Sequence, residues 1–377
     1  MVKSLCLLIS WQISMRVSKI DNDTVIVEFS NPMKVVSTVP VVSNNGYVEN
    51  IIFKFIPKDF NVKNLADYYR SVVKEVGVEN AVVFITATSI DNFNHIRIDD
   101  LSADVFISVG LEPPVCLETN VFTPMTISTI NIAVAVRQPL TNNAMVDLLR
   151  TVAEAKCLAS NDIMLRCRTR SSGTVTDAIA VLKPLNMNEE ILFAGMATTI
   201  GNAIAKTVHK MIVSKALRDE DKMFNYLTGL GKDEFLNMFR DLYRYMPIPN
   251  VSEEKAVEIA RIILRKILGD PNTWSFIIAA RELELHGIVG TIPNVSEEEF
   301  ARDSPKVVAD EIIGMALATY VAGLKGLFSM YWVERLKESK ILKHGIFGTF
   351  EDDIISALLG SLYTLLYDYV RGSSEDV

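Results

Sequence analysis

Ile130-Asn-Ile-Ala-Val-Ala-Val136 is an apolar, β-branched run whose length predicts a buried strand in the first half of the chain. A helical pattern begins a few residues later. Over Asn142–Ser160, apolar residues such as Met145, Leu148 and Val152 recur at helical spacing, which predicts an amphipathic helix. A buried strand followed closely by such a helix is typical of a domain whose helices cover a sheet.

The same mixture of strands and helices extends outward from this stretch in both directions, as far as Ala216. Further strands are predicted at Thr24–Phe29, Lys34–Val39, Val48–Phe55, Ala81–Thr86, Asp104–Val109 and Ala178–Leu182. Further helices are predicted at Val62–Val76 and Thr199–Ala216. Strands and helices alternate irregularly, so we expect a mixed α/β sheet with flanking helices and not a strictly parallel, doubly wound sheet.

Strand patterns stop after Arg218, and helical patterns separated by polar turns continue to the end of the chain. A length of 377 residues also exceeds what one hydrophobic core usually organises. We therefore expect two domains, a mixed α/β domain at residues 1–218 and an all-α domain at residues 219–377. Within the second, Pro-Asn-Val-Ser-Glu-Glu occurs at Pro249–Glu254 and again at Pro293–Glu298, which predicts two helix starts capped by serine.

Composition excludes several classes of protein. The net charge is −8 and no long basic run is present, so nucleic acid is not an expected partner. The cysteines Cys6, Cys116, Cys157 and Cys167 have no CxxC spacing, so reduced thiols and a cytoplasmic location are expected. The oligomeric state stays open, and oligomers are compatible with the sequence.

Two apolar segments near the end of the chain are long enough to raise the question of a membrane. Ile354–Tyr367 would be about 21 Å long as a helix, against about 30 Å for a bilayer core. Val307–Phe328 is longer but contains the acids Asp310 and Glu311, which are costly in lipid. Both segments are expected to be buried helices of a soluble domain, without a stable membrane span.

Two loops of the first domain combine small polar residues with predicted strand ends, where binding and catalytic residues often lie. The first, Val109–Asn120, contains Gly110 and the Pro113-Pro114 pair. The second is Arg170-Ser-Ser-Gly-Thr-Val-Thr-Asp177, whose backbone N–H groups are able to bind an anion or a developing oxyanion. A plain turn is the alternative interpretation of the second loop.

The helix between these loops carries two charged residues with more than one interpretation. Lys156 falls inside the apolar stripe, so it is either a side chain that extends its ammonium to solvent or a site residue. Glu154 follows Arg150 by four residues, which fits an exposed ion pair as well as a site residue. The sequence alone does not choose between these alternatives.

An ordered set of motifs resembles the adenosylcobinamide amidohydrolase (CbiZ) family over roughly Val35 to Ala216. The motifs are Ser128-Thr-Ile-Asn-Ile132, Pro139-Leu-Thr141, Glu154-Ala-Lys156, Ser172-Gly-Thr-Val-Thr-Asp177 and Phe193-Ala-Gly-Met-Ala-Thr-Thr-Ile-Gly201. The resemblance implies hydrolysis of the amide that joins the aminopropanol arm of adenosylcobinamide to its corrin ring, with no cofactor required. Some members have Gly-Lys-His-Thr where this chain has Gly195-Met-Ala-Thr198, so no histidine is available for catalysis at that position.

Amide hydrolysis needs an activated water, an oxyanion donor and an acid for the leaving amine. We assign the general base to Glu154 or Asp177, and oxyanion stabilisation to Lys156 or to backbone amides of the second loop. Substrate binding is assigned to Asn120, Asn131, Gly173, Thr174 and Thr176. The cysteines have no histidine partner in an obvious pattern, so attack by water is preferred over a covalent intermediate.

Adjacent acids stand in apolar helical segments of the second domain, at Asp310-Glu311 and Asp352-Asp353. Carboxylates turned into an apolar interior repel one another unless a cation binds between them, and oxygen ligands favour Mg²⁺. A favourable interaction with a helix N-terminus is the alternative for the second pair. We expect Mg²⁺ at Asp310, Glu311 and Asp353, with Asp352 and Glu282 as further ligands and Asp310 and Glu311 acting in catalysis.

The patterns Asp310-Glu-Ile-Ile-Gly314 and Asp352-Asp-Ile-Ile355 resemble the phosphatidylglycerophosphatase A superfamily, and more closely its α-ribazole phosphatase branch. The two halves together resemble bifunctional (CbiS-type) proteins of cobamide salvage. This resemblance implies that the second domain dephosphorylates α-ribazole-5′-phosphate or adenosylcobalamin-5′-phosphate. A corrinoid-binding protein without turnover and a membrane-associated lipid phosphatase are the competing interpretations.

Overall fold

The computed structural model describes residues 14–119, 129–339 and 348–375. The chain divides into two compact units, Met1–Cys167 with Ser171–Ala216, and Arg168–Arg170 with Leu217–Val377. The first unit has a mixed α/β sheet with helices, and the second is helical, so the predicted fold class is confirmed.

Strands of the first unit are β1 (Met15–Ile20), β2 (Thr24–Ser37), β3 (Val41–Val42), β4 (Tyr47–Phe55), β5 (Ala81–Thr86), β6 (Phe93–Ile98), β7 (Ala103–Val109), β8 (Pro114–Val115), β9 (Ile130–Val136), β10 (Gly173–Thr174) and β11 (Ala178–Pro184). Its helices are α1 (Leu65–Val76), α2 (Asn142–Asp162) and α3 (Thr199–Ala216). In the described part of the chain, the main sheet has the order β3-β5-β4-β2-β11-β9-β7-β6, with β1 beside β2. A separate small sheet pairs β8 with β10.

The main sheet curls, and the short connection from β5 to β6 shows why. These strands lie six positions apart in the sheet order, which would be about 29 Å in a flat sheet. The chain from Thr86 to Phe93 reaches only about 24 Å when extended. The ends of the sheet must therefore approach each other, and the ring of Phe93 on β6 packs 5.0 Å from the ring of Phe53 on β4.

Most strand predictions are confirmed, because apolar alternation and β-branched composition are local signals. One continuous strand was predicted as two, since Thr24–Phe29 and most of Lys34–Val39 belong to the single strand β2, which ends at Ser37. The register of β2 against β4 shifts between Glu28 and Met33, at the polar interruption that separated the two predictions. Strands β1 and β6 were not predicted, because their apolar residues are interrupted by polar ones and do not alternate strictly. The two-residue strands β3, β8 and β10 were not predicted either, because two residues are too short to give a periodic pattern.

The second unit contains α4 (Glu220–Thr228), α5 (Lys232–Tyr245), α6 (Glu253–Leu268), α7 (Pro271–Ile288), α8 (Glu297–Phe300), α9 (Ala309–Glu338) and α10 (Thr349–Glu375). The predicted serine caps are confirmed. Ser252 accepts a hydrogen bond from the Lys255 amide at the start of α6, and Ser296 forms a capping box with Glu299 at the start of α8.

Helix α9 is broken in its middle, where Ala322 and Gly323 have non-helical backbone angles. Gly323 has φ of +64°, a conformation that glycine adopts without strain. The hydroxyl of Tyr331 lies 3.0 Å from the sulfur of Met315, whereas a straight helix would separate these two residues by about 24 Å. The two segments of α9 therefore fold back on each other.

Helix α9 is the one helix of the described residues that is long and apolar enough to cross a membrane. Because of the break, each segment is only about 20 Å long, less than a bilayer core of about 30 Å. The expectation of an interior helix at Val307–Phe328 is wrong, since Leu324 and Phe328 are 67% and 70% exposed. The expectation holds for Ile354–Tyr367, because most of that segment of α10 is buried.

Cys116 and Cys167 form a disulfide, so the expectation of reduced thiols is wrong for this pair. Their separation of 51 residues in sequence gives no local pattern, and only the fold brings the two residues together. Cys157 is a free cysteine. A cytoplasmic location stays a prediction, without the support that reduced thiols would have given it.

Candidate active sites

The two loops selected from the sequence lie side by side in the first unit. Strand β8 of the first loop pairs with β10 of the second, with Pro114 opposite Thr174 and Val115 opposite Gly173. The Ser172 amide donates to the carbonyl oxygen of Val115 at 3.0 Å. Both loops flank the same edge of the main sheet, because β7 and β9 are antiparallel whereas β9 and β11 are parallel. The fold thus joins them into one surface.

Asp177 anchors the second loop. From the described part of the chain its carboxylate accepts four hydrogen bonds: from the amides of Ile130 and Thr174, both at 2.9 Å, from the Thr174 hydroxyl, and from the Lys156 ammonium. A carboxylate has about four lone-pair positions, so this set occupies them. With a side chain only 8% exposed, Asp177 has little capacity left to take a proton from a water molecule.

Lys156 lies against the second loop and does not extend to solvent. Its ammonium donates to Asp177 and to the carbonyl oxygen of Ser172, the latter at 2.8 Å. Gly173 fits here because a Cβ at this position would lie 2.0 Å from the Asp177 carboxylate, and its φ is +138°. The lysine and the aspartate form an ion pair that holds the loop on α2.

Glu154 projects to a different side of α2 from Lys156, since residues two positions apart lie about 200° apart around a helix. Its carboxylate accepts a hydrogen bond from Arg150, and its side chain is 40% exposed. The structure therefore does not bring Glu154 and Asp177 into one pair of acids. Of these two candidate bases, Glu154 is the one that is exposed to solvent.

The segment around Gly195 packs on the same side of α2. The Ala194 amide donates to Asp147 at 2.9 Å, and a Cβ on Gly195 would lie 3.2 Å from the guanidinium of Arg150. Hydrogen bonding by Arg150 also lowers the pKa of the Asp147 carboxyl. Asp147 and Arg150 were not selected from the sequence, although their spacing with Glu154 on one helix face was visible there.

The predicted substrate-binding residues have mixed outcomes. Asn131 is buried, accepts a hydrogen bond from the Thr129 hydroxyl and donates one to the carbonyl oxygen of Ile85. Its side-chain amide therefore stabilises the sheet. The amide of Gly173 donates to the Ser171 hydroxyl, and that of Thr174 to Asp177. Thr176 is exposed on the loop surface. Asn120 lies outside the described residues.

The second unit brings Asp310 and Glu311 of α9 together with Asp353 of α10. One carboxylate oxygen from each residue lies within 4.8 Å of the others. Asp310 and Asp353 are buried, and Oδ1 of Asp310 has no hydrogen-bond partner among the described residues. An unpaired buried carboxylate oxygen beside two further oxygen ligands fits a hard divalent cation such as Mg²⁺. We call these three residues the carboxylate cluster.

Burial raises the pKa of Asp353 to about 8, and repulsion from Glu334 and Asp310 adds to the increase. Burial likewise raises the pKa of Asp310 to about 7, with a further contribution from Glu311. Both shifts express the cost of placing carboxylates close together in an apolar interior. A bound cation would remove that cost, because it favours the charged forms.

Gly314 allows the cluster to form, since a Cβ there would lie 3.0 Å from the Cβ of Asp353 and 2.6 Å from the Met330 methyl group. Helices α9 and α10 therefore approach closely at the glycine of the first acidic motif. Glu334 lies close enough to raise the pKa of Asp353, and it was not selected from the sequence. The sequence feature that pointed to Glu334 was an acidic residue in the last turns of an apolar helix.

Two predicted ligands lie outside the carboxylate cluster. Asp352 accepts a hydrogen bond from the Lys337 ammonium at 2.6 Å, which directs its carboxylate away from Asp353. Adjacent residues of a helix point about 100° apart, so one of the two had to face elsewhere. Glu282 on α7 lies 3.5 Å from the His286 ring and is not part of the cluster.

Comparison with known proteins identifies one family and two relatives. The family model described as adenosylcobinamide amidohydrolase matches residues 11–224. An uncharacterized protein of Methanocaldococcus jannaschii is 28% identical over 233 residues, which cover 54% of this chain and 89% of the relative. A second uncharacterized protein of the same organism is 32% identical over 127 residues, which cover 32% of this chain and 91% of the relative.

Proposed function

The chain belongs to the adenosylcobinamide amidohydrolase (CbiZ) family, a family of hydrolases that act on corrinoids, and we propose that Glu154 is the general base of this activity. The reaction cleaves the amide between the aminopropanol arm and the corrin ring, which yields adenosylcobyric acid for cobamide salvage. The observation that carries the assignment is the contrast between the two candidate acids. Asp177 is saturated with hydrogen bonds, whereas Glu154 is exposed.

In the proposed mechanism, Glu154 takes a proton from water while the water oxygen attacks the amide carbon. Arg150 orients the Glu154 carboxylate through their ion pair, and its guanidinium would stabilise the oxyanion. Collapse of the tetrahedral intermediate breaks the C–N bond. The departing nitrogen takes the proton from Glu154 and leaves as the amine.

Turnover of adenosylcobinamide by Glu154→Gln tests this assignment. We expect kcat to fall by about 10²- to 10⁴-fold, the range for loss of a general base. Asp67→Asn is the matched control, since Asp67 also pairs with an arginine on an exposed helix face, and it should keep full activity. Unchanged kcat in Glu154→Gln overturns the role of Glu154. Corrinoid binding without turnover by the unmodified protein would favour a binding function instead.

For the second unit we propose a magnesium-dependent phosphomonoesterase that acts on α-ribazole-5′-phosphate or adenosylcobalamin-5′-phosphate. The observation that supports it is the carboxylate cluster with the unpaired Oδ1 of Asp310. Asp310, Glu311 and Asp353 would hold the cation, which when bound would polarise phosphoryl oxygens and orient water. Lys337 holds Asp352 and Ser356 beside the cluster and so fixes the neighbouring surface of α10.

Release of phosphate from α-ribazole-5′-phosphate, with and without a chelator, tests the second proposal. Activity should vanish with the chelator, return with Mg²⁺, and be lost in Asp353→Asn. Asp368→Asn is the control on the same helix, because Asp368 pairs with Lys325 at the surface. Full activity after complete removal of metal would contradict the proposed magnesium dependence. Hydrolysis of a phosphatidylglycerophosphate in preference to the nucleotide would identify a lipid phosphatase.

A further inference from the structure

Helix α7 holds the first turn of α10. The buried carboxylate of Glu284 accepts a hydrogen bond from the Phe350 amide at 2.9 Å. Just before α10, a Cβ on Gly348 would lie 2.0 Å from the same carboxylate, so the close approach requires glycine. The first amides of a helix lack partners within the helix and favour a negative charge. Glu284 thus fixes where α10 begins.

A second contact lies one turn away on α7. Arg281 donates to Glu351 at 2.8 Å, and both side chains are only 3% exposed. Residues 281 and 284 face the same side of α7, because three positions bring a helix nearly one full turn round. Two neighbouring points of α10 are therefore tied to one face of α7.

These contacts determine which way Asp353 points. Glu351 and Asp353 are two residues apart, so their side chains project about 200° apart around α10. With Glu351 drawn toward α7, Asp353 is turned toward α9, where its Cβ lies 3.0 Å from the Cβ position of Gly314. The rotation of α10 set by Arg281 is thus the rotation that completes the carboxylate cluster.

We propose that Arg281 and Glu284 are positioning residues that hold Asp353 within reach of the cation bound by Asp310 and Glu311. This inference rests on the proposed cation site. A buried ion pair contributes little net stability compared with well-packed apolar residues of similar volume. The pair between Arg281 and Glu351 is therefore better explained by the orientation it gives to α10 than by stability.

Binding of Mg²⁺ and Mn²⁺ to the full-length protein, by calorimetry and by Mn²⁺ electron paramagnetic resonance, tests the proposal. In the double variant Arg281→Met with Glu351→Leu, apolar groups replace both charges, so the helices should stay packed. We expect its Mg²⁺ affinity to fall about 10- to 100-fold, as for loss of groups that orient metal ligands. Arg281→Lys in the otherwise unmodified protein keeps the charge pair with Glu351, so its Mg²⁺ affinity should stay well above that of the double variant.

The matched control replaces the exposed pair between α9 and α10, Lys325→Met with Asp368→Leu, and should bind Mg²⁺ like the unmodified protein. Equal affinity in the Arg281 and Glu351 double variant overturns the positioning role and leaves the cation site intact. Absence of Mg²⁺ and Mn²⁺ binding in the unmodified protein overturns the cation site, and the positioning role with it. If the double variant does not fold, Mg²⁺ binding by Gly348→Ala tests the positioning role instead, because its methyl group must displace the Glu284 carboxylate. Lower affinity supports the role, and unchanged affinity overturns it.

Discussion

Asp177 shows how a residue that suggests catalysis by its sequence context can serve structure instead. Asp177→Asn replaces one carboxylate oxygen by an N–H donor and leaves the Lys156 ammonium without its counter-ion. We expect a loss of about 3 to 5 kcal/mol in the free energy of unfolding, the range for a broken buried ion pair. Urea unfolding measures it. Unchanged stability together with a large loss of kcat would return Asp177 to the list of catalytic acids.

Asp353 should make the stability of the metal-free protein depend on pH. Its pKa is about 8 in the folded protein and near 3.8 when unfolded, so between these values the folded state holds the extra proton. Stability is therefore greatest at low pH within this window and falls as pH rises from about 4 to about 8. The thermal midpoint, measured with a chelator across this range, should show the decline.

Two changes check the cause of that decline. Asp353→Asn removes one titrating carboxyl and should reduce the pH dependence to the share that comes from Asp310, whose pKa burial raises to about 7. Asp352→Asn should preserve the dependence, because Asp352 is paired with Lys337. Addition of Mg²⁺ should raise the thermal midpoint most at high pH, where Asp310 and Asp353 lose their protons more readily. A pH dependence that is identical in Asp353→Asn would contradict the assignment.

At the scale of elements, the disulfide between Cys116 and Cys167 holds the first loop beside the second. Reduction by dithiothreitol should lower the stability of the first unit by up to about 4 kcal/mol, because a closed loop of this length restricts the unfolded chain. It should also reduce turnover of adenosylcobinamide, since β8 and β10 pair through only two residues each. Cys116→Ser with Cys167→Ser should reproduce both effects, and Cys157→Ser should produce neither.

Helix α9 marks the limit of element prediction from periodicity. Its apolar composition predicts one long helix. The spacing of its apolar residues does not distinguish a straight helix from two segments that fold back at Gly323. Packing makes the difference, since Gly326 lets the second segment approach the carbonyl oxygen of Ala318. The caps at Ser252 and Ser296 were predicted correctly, because a cap involves residues three positions apart.

For the whole molecule, the two units each have their own set of buried residues, so each should fold without the other. We expect separately expressed chains of residues 1–216 and 217–377 to unfold cooperatively by circular dichroism. The first should retain amide hydrolysis and the second should release phosphate. A fragment that is unfolded alone but ordered when mixed with the other would contradict independent folding.

Local patterns in the sequence were enough to predict the fold class, most strands and helices, the serine caps and the family of the first unit, because these depend on residues close together along the chain. Which charged groups meet depended on the packing of the folded chain. It paired Asp177 with Lys156, left Glu154 exposed, joined Cys116 to Cys167 and gathered the carboxylate cluster. Those contacts link residues far apart in sequence, and their distances are set by how strands and helices pack.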